Sequence, residues 1–344
     1  MKNTEHYTTV YNFCTLSDYN YLHFGLALFE SLQQHASSFH LYYLCLDKKT
    51  YDTLVSMDLD SLTPIFIGYL EDQDGKLLEI KNAQPSREAL IQENYWNKTE
   101  NNKGAKAIQY FWVLASYFSW YLLKTYDIDH IVYADSDIFF FDDCKNIFDE
   151  VGERSIGLVS HRLTKWSDTR VWGRDWASTT EKDDIPDSGY FNVGVVYFKN
   201  DDIGFKCVET WKDWLLDPNN EYYEDYGTIG DQRYLMLFIP LFGRENVKVM
   251  ESIGHLAPWN VQNHRYNSNS INWLGQDQSL TYYHFSNFTP NFSGMSYEPA
   301  PRHGNACGLV NTTPFLRKVH DKYFLSLLKS KEKLDEISFR NDSL

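Results

Sequence analysis

The stretch His130–Asp143, HIVYADSDIFFFDD, decides how this chain is read. Ile131, Val132 and Tyr133 lead into Asp135 and Asp137, and Ile138, Phe139, Phe140 and Phe141 follow. A short apolar run of this kind predicts a buried strand. Desolvation disfavours a charged carboxylate, so two acids one residue apart at the end of such a strand need compensation. A divalent cation supplies it, because two carboxylates can reach one Mg²⁺ or Mn²⁺ if the backbone turns there. By spacing alone an Asp-x-Asp is more often a solvated turn. The apolar flanks favour the metal, since a solvated turn needs no such setting.

Strand and helix signals alternate on the N-terminal side of this stretch. Thr8–Leu16, Phe39–Leu46 and Thr63–Gly68 read as strands, and Tyr21–His35, Lys49–Met57 and Ala105–Lys124 as helices. Repeated βα alternation predicts an α/β domain with a largely parallel sheet. Ligands of such sheets sit beyond the carboxyl ends of the strands, where Asp135 and Asp137 fall. On the C-terminal side, Ser188–Phe198 is strand-like, and Ile203–Leu216 and Tyr226–Leu237 look helical. His161–Pro186 is long, polar and carries Trp166, Trp172 and Trp176, a candidate flexible loop able to close over a ligand. A helix at Thr313–Lys329 and a charged tail end the chain.

The 344 residues, 43% of them hydrophobic and 17% aromatic, suffice for a substantial core. The formal net charge of −15 and the lack of a strong basic cluster exclude direct nucleic-acid binding. An acidic protein that handles a phosphorylated ligand calls for a cation between its carboxylates and the phosphates. The first residues carry no apolar core of a secretory signal, and Tyr110–Leu123, the longest uncharged run, is too short to span a bilayer. Five scattered cysteines fit reduced thiols in a cytosol. These features predict a cytoplasmic protein that is at most peripheral at a membrane.

Five ordered motifs, YADSDIFFFDD, SGYFNVGVVYF, IGDQRYL, HLAPWN and YYHFSNF, resemble those of nucleotide-diphospho-sugar transferases of the GT-A fold. The resemblance is to the retaining, family-8-like glycosyltransferases of bacterial surface polysaccharide synthesis, and it covers roughly residues 7–292. It implies a GT-A domain over 7–292, Rossmann-like and with helices on both sheet faces, and a C-terminal extension with a helix over 293–344. It also implies transfer of a hexose-type sugar, with retention, from a nucleotide-diphospho-sugar (a UDP-sugar) to a hydroxyl of a glycan, lipid-linked glycan or protein.

Residue by residue, the resemblance puts Mn²⁺ (or Mg²⁺) on Asp135, Asp137 and the late His284, with Asp135 also near the donor. An imidazole at a strand end suits Mn²⁺ better than Mg²⁺, although a lone histidine is more often a hydrogen-bonded core residue. Asn192 and Asp187 would bond the donor sugar hydroxyls, with Gly189 and Gly194 letting the backbone approach; a glycine-bounded turn is the plainer reading. Asp231 and Gln232 would lie by the anomeric carbon, although an Asp at a helix start is also an ordinary N-cap. Thr15, Asp18 and Tyr19 occupy the nucleobase position, Tyr19 as a stacking ring. The family's Gly and Lys for the phosphates do not follow His284, which leaves Ser286, backbone groups and the metal to that task. Trp259 stands on the acceptor side or in the core. His161 and Arg162, as a bare dipeptide, read more often as surface than as a ligand contact.

Other classes fit less well. Glycine-rich dinucleotide and Walker patterns are absent after the first strand, against NAD and P-loop readings. A nucleotidylyltransferase needs a Gly-rich, basic loop where TLSDYNY stands. A glycoside hydrolase needs two carboxylates flanking the scissile bond. A secreted bacterial effector that glycosylates a host protein, and a non-catalytic sugar-binding protein, stand as alternatives.

Overall fold

The computed structural model describes residues 10–83, 103–163, 189–217, 219–222, 230–301 and 303–341. Asp187 and the three tryptophans of the expected loop lie outside them. The first half runs β1 (Tyr11–Ser17), α1 (Leu22–His35), β2 (Phe39–Cys45), α2 (Lys48–Met57), β3 (Leu62–Phe66), α3 (Ile67–Glu71), α4 (Gly75–Asn82), α5 (Lys103–Thr125), β4 (His130–Ala134) and β5 (Ile138–Phe140). Then come α6 (Lys145–Val151), β6 (Ile156–Ser160), β7 (Phe191–Lys199), α7 (Asp202–Leu216), α8 (Phe238–Phe242), β8 (Val247–Val249) and β9 (Gly254–Leu256). The remainder holds β10 (Arg265–Tyr266), β11 (Ile271–Trp273), β12 (Gln276–Gln278), β13 (Leu280–His284), β14 (Thr289–Asn291), β15 (Ser296–Glu298), α9 (Gly304–Thr312) and α10 (Pro314–Asn341).

Among the described residues the main sheet has the order β3-β2-β1-β4-β7-β6-β8. β1 to β4 are mutually parallel, β7 runs against both its neighbours, and β8 is parallel to β6. The architecture is therefore α/β with a mostly parallel central sheet. Helices cover both faces. Ile131 and Tyr133 of β4 pack into the core shared with α5 and α7, while Val132 and Ala134 pack into the core shared with α1. A strand buried on both sides needs apolar residues at every position, which is why β4 shows no alternation. Helix starts are fixed locally. Asp47 caps α2 through the Thr50 amide at 2.7 Å, and Asp201 caps α7 through the Gly204 amide at 2.8 Å.

The opening stretch does not form a single strand. β4 belongs to the main sheet, whereas β5 joins a second sheet of order β5-β13-β9. Asp135 and Asp137 sit where the chain passes from one sheet to the other. The second sheet has its own core, in which Phe139, Tyr283 and Phe285 meet Phe24 of α1 and Leu316, Tyr323 and Leu327 of α10. Fully burying one such phenylalanine contributes roughly 2–3 kcal/mol.

Two expectations are corrected. The C-terminal helix continues to Asn341 instead of ending near Lys329, because Leu334 remains in the core and Lys333 pairs with Glu30 of α1 at 2.8 Å. Where a helix was expected over Tyr226–Leu237, the described part is a 3-10 turn, Gln232–Leu237, entered through Gly230 at φ +114°. No helix among the described residues is long and apolar enough to cross a membrane.

Candidate active site

Asp135 and Asp137 follow β4, and the last residue of β13 is His284, paired in register with Ile138 of β5. The Phe285 amide donates to the Asp137 carbonyl at 2.8 Å, so the ladder that ends β13 also brings His284 over the two acids. His284 Nε2 lies 3.1 Å from Asp137 Oδ1 and 3.5 Å from Asp135 Oδ2. Among the described residues these three form a group whose ligand atoms all lie within 4.8 Å of one another. Adjacent ligands of an octahedral ion with bonds of about 2.1 Å stand about 3 Å apart, so the spacing fits a hard divalent cation. Two carboxylates and an imidazole form a mixed oxygen and nitrogen donor set that a divalent cation such as Mn²⁺ accepts.

The electrostatics express the same need. Desolvation raises the Asp135 carboxyl above its ordinary range; His284 pulls it down, Asp137 pushes it up, and Tyr133 partly offsets the rise. The Tyr133 hydroxyl donates to Asp135 Oδ1 at 2.8 Å. Desolvation would lower His284, but the charge and hydrogen bond of Asp137, with Asp135 behind it, carry the net shift upward. Tyr133 was read only as part of the apolar run, yet strand periodicity carried a further signal. Residues two apart share a face, and Tyr133 stands two before Asp135.

Asp231 and Gln232 reach the same place from the main-sheet side. The Asp231 carbonyl accepts from Trp211 Nε1 at 3.2 Å, which anchors the backbone. Its carboxylate makes no capping bond to the 3-10 turn that follows, so the N-cap reading does not hold. Burial, with the charge of Asp135 added, pushes the Asp231 carboxyl up to about 8, against the amides of Asp231 and Gln232.

Asn192 lies within β7, so the turn reading is also corrected. Between β6 and β7 the register jumps: Leu158 faces Val196, but Val159 faces Asn192. Val193, Gly194 and Val195 bulge out between them, and a bulge re-aims side chains. Here it brings Asn192 Oδ1 to 3.2 Å from His284 Nδ1. Gly194 has a different task from the sugar approach expected of it. A Cβ there would stand 2.5 Å from both His284 Nδ1 and Asn192 Oδ1. Gly194→Ala is therefore expected to cost about 1–3 kcal/mol of stability and to weaken Mn²⁺ binding, measured by thermal melting and calorimetry.

The nucleobase candidates separate. Thr15 is fully buried in β1, where its hydroxyl has no hydrogen-bond partner. Asp18 accepts from the Tyr21 amide at 3.0 Å and so shapes the entry to α1. The Tyr19 ring lies under Lys49 Nζ at 3.7 Å and packs against the α1 core. Tyr21, which the sequence reading passed over, lines a cleft of about 460 Å³ together with His23, Asp137, Ser286, Asn287 and Phe292. The turn after Asp18 decides this, because it points Tyr19 toward α2 and leaves Tyr21 at the mouth. Asn287 holds φ +60° there, the left-handed region that asparagine tolerates.

Trp259 packs edge-on against His284 at 5.1 Å and His161 at 5.6 Å, bordering the triad. The surface reading of His161 and Arg162 is wrong, since both are buried. The Arg162 guanidinium donates to the carbonyls of Glu251 at 2.7 Å and Ile253 at 2.9 Å and lies over Trp273, tying the segment after β8 to the site.

The model of glycosyl transferase family 8 matches residues 12–242. The chain belongs to this family. It is a glycosyltransferase. The family match ends before His284 and Ser286, so those two join the site through β13. The transferase is 27% identical over 284 residues to the uncharacterized protein YfnD of Bacillus subtilis (strain 168), covering 82% of this chain and 79% of that one. Against YfnF of the same organism the identity is 26% over 283 residues, covering 80% and 81%. Mouse xyloside xylosyltransferase 1, in its apo form, superimposes with a TM-score of 0.49 at 16% identity, over 81% of this chain and 98% of that one.

Proposed function

We propose that this glycosyltransferase moves a hexose-type sugar from a UDP-sugar to an acceptor hydroxyl, with retention, in a reaction that depends on Mn²⁺ or Mg²⁺. The convergence of Asp135, Asp137 and His284 beside a cleft carries the reading. When bound, the cation would supply Lewis-acid stabilisation of the diphosphate leaving group. The chain's own residues do the rest. Tyr21 and Asp18 hold the nucleoside side of the cleft, with Thr15 and Tyr19 shaping its wall from behind. Ser286 and the backbone around Asn287 face the phosphates in place of a lysine. Gln232 and Asp231 lie on the sugar side, where a carboxylate stabilises positive charge developing at the anomeric carbon. Asn192 and Asp187 take the sugar hydroxyls, Asn192 through the amide hydrogen left over from its bond to His161.

We assign the transferase unit to 7–292, with 293–344 as an extension packed on it, and the acceptor to glycans of a bacterial surface polysaccharide made on the cytoplasmic side. The deciding test is calorimetry of UDP with Mn²⁺ and with EDTA. Net negative charge and the lack of a lysine closely following His284 in the sequence lead us to expect at least about tenfold tighter binding with Mn²⁺. Equal affinity in the two conditions overturns the metal reading. A panel of UDP- and GDP-sugars then identifies the donor.

A further inference from the structure

The hydrogen bonds behind His284 run in one direction. A carbonyl can only accept, and the Gly189 carbonyl lies 3.1 Å from His161 Nδ1, so Nδ1 carries the ring hydrogen. His161 is buried, among the described residues no acid lies beside it, and desolvation holds its pKa down to about 4 despite the Gly189 bond. The ring is neutral, and its Nε2 is a bare acceptor. Asn192 Nδ2 lies 3.4 Å from that nitrogen. The Gly194 amide donates to Asn192 Oδ1 at 2.9 Å, which agrees with an amide nitrogen turned toward His161. Oδ1 therefore accepts from His284 Nδ1, and His284 Nε2 is left facing Asp135 and Asp137.

We propose that His161 is a positioning residue: its Nε2 orients the Asn192 amide, and Asn192 Oδ1 holds His284 in the tautomer that offers Nε2 to a cation. This rests on the metal reading above. Imidazoles that bind metals nearly always give their second N–H to a fixed acceptor; in this chain a side-chain amide is that acceptor, and a second histidine sets its direction. The opposite tautomer would present an N–H to the two acids and close the site as a hydrogen-bonded cluster.

The first test reads the ring nitrogens of His284 by ¹⁵N NMR in the metal-free protein, titrated upward until the ring loses its second proton. The hydrogen should reside on Nδ1. His161→Phe should mix the tautomers and weaken Mn²⁺ binding about tenfold by calorimetry, and His161→Gln, which returns an acceptor, should restore most of it. Because a buried substitution can disturb packing, a second pair is compared. Asn192→Asp keeps the acceptor toward His284 and should hold Mn²⁺ as tightly as the wild type or more so, whereas Asn192→Leu should lose about tenfold. The proposal is overturned if Asn192→Asp falls as far as Asn192→Leu. It is equally overturned if His161→Phe keeps both the Nδ1–H tautomer and full Mn²⁺ affinity. A wild-type protein that binds no Mn²⁺ would sink the metal reading, while the NMR measurement would still decide the role of His161.

Discussion

Asp137→Asn is expected to lower sugar transfer by at least about 10²–10³-fold at saturating Mn²⁺ while leaving the fold intact, and Asp135→Asn likewise. Each substitution keeps the shape of the side chain and removes one negative charge from a group of three. The expected damage differs in kind. Asp137 is the closer partner of His284, at 3.1 Å, so its loss should fall mainly on metal affinity. Asp135 also holds the Tyr133 hydroxyl and faces Asp231, so its loss should also disturb the sugar side. Removing either acid relieves like-charge repulsion but also takes a partner from His284, so melting in EDTA checks that each variant keeps its fold. Near-normal transfer by either variant, assayed as UDP release, would rule out the metal assignment.

Asp231→Asn is expected to reduce transfer by about 10²-fold or more and yet to stabilise the metal-free protein at neutral and alkaline pH. The sign follows from linkage. Folding carries the Asp231 carboxyl from its ordinary value of 3.8 up to about 8. Between those values the folded state binds more protons than the unfolded one, so stability falls as pH rises from about 4 to about 8 and levels off beyond. At ~1.36 kcal/mol per unit the cost has an upper bound of about 6 kcal/mol, reduced by the water that reaches the half-buried carboxyl. The Asn variant escapes this cost. Melts in EDTA should therefore coincide near pH 4 and separate by pH 8, with the variant higher. A variant less stable than the wild type at pH 8 would mean that Asp231 is held charged by a structural bond.

Much of this was legible in the residues themselves. The continuous apolar run of β4 announced a strand buried on both faces, and the alternation before it announced the parallel half of the sheet. Asp135 and Asp137 were readable because acids in an apolar setting demand a partner, whereas His284 was found through the family resemblance, a lone histidine being more often a core residue. Features that depend on register or on turn direction were not readable. Period-two reasoning cannot see that β7 bulges opposite Val159, and that bulge alone brings Asn192 to His284. Composition could not say that the turn after Asp18 sends Tyr19 behind the sheet and Tyr21 into the cleft. The charge count of the C-terminal tail suggested solvent, whereas Leu334 kept the helix on the core.

The division of the triad between two sheets has a consequence for the order in which the protein comes into being. The two aspartates leave the ribosome early, while His284 follows Asp137 by 284 − 137 = 147 residues. The sheet that carries His284 is backed by α10, the last helix of the described chain, through Tyr323 and Leu327. During synthesis the two acids are therefore made well before the histidine that faces them. A chain cut before α10 would lose the apolar backing of the sheet that carries His284.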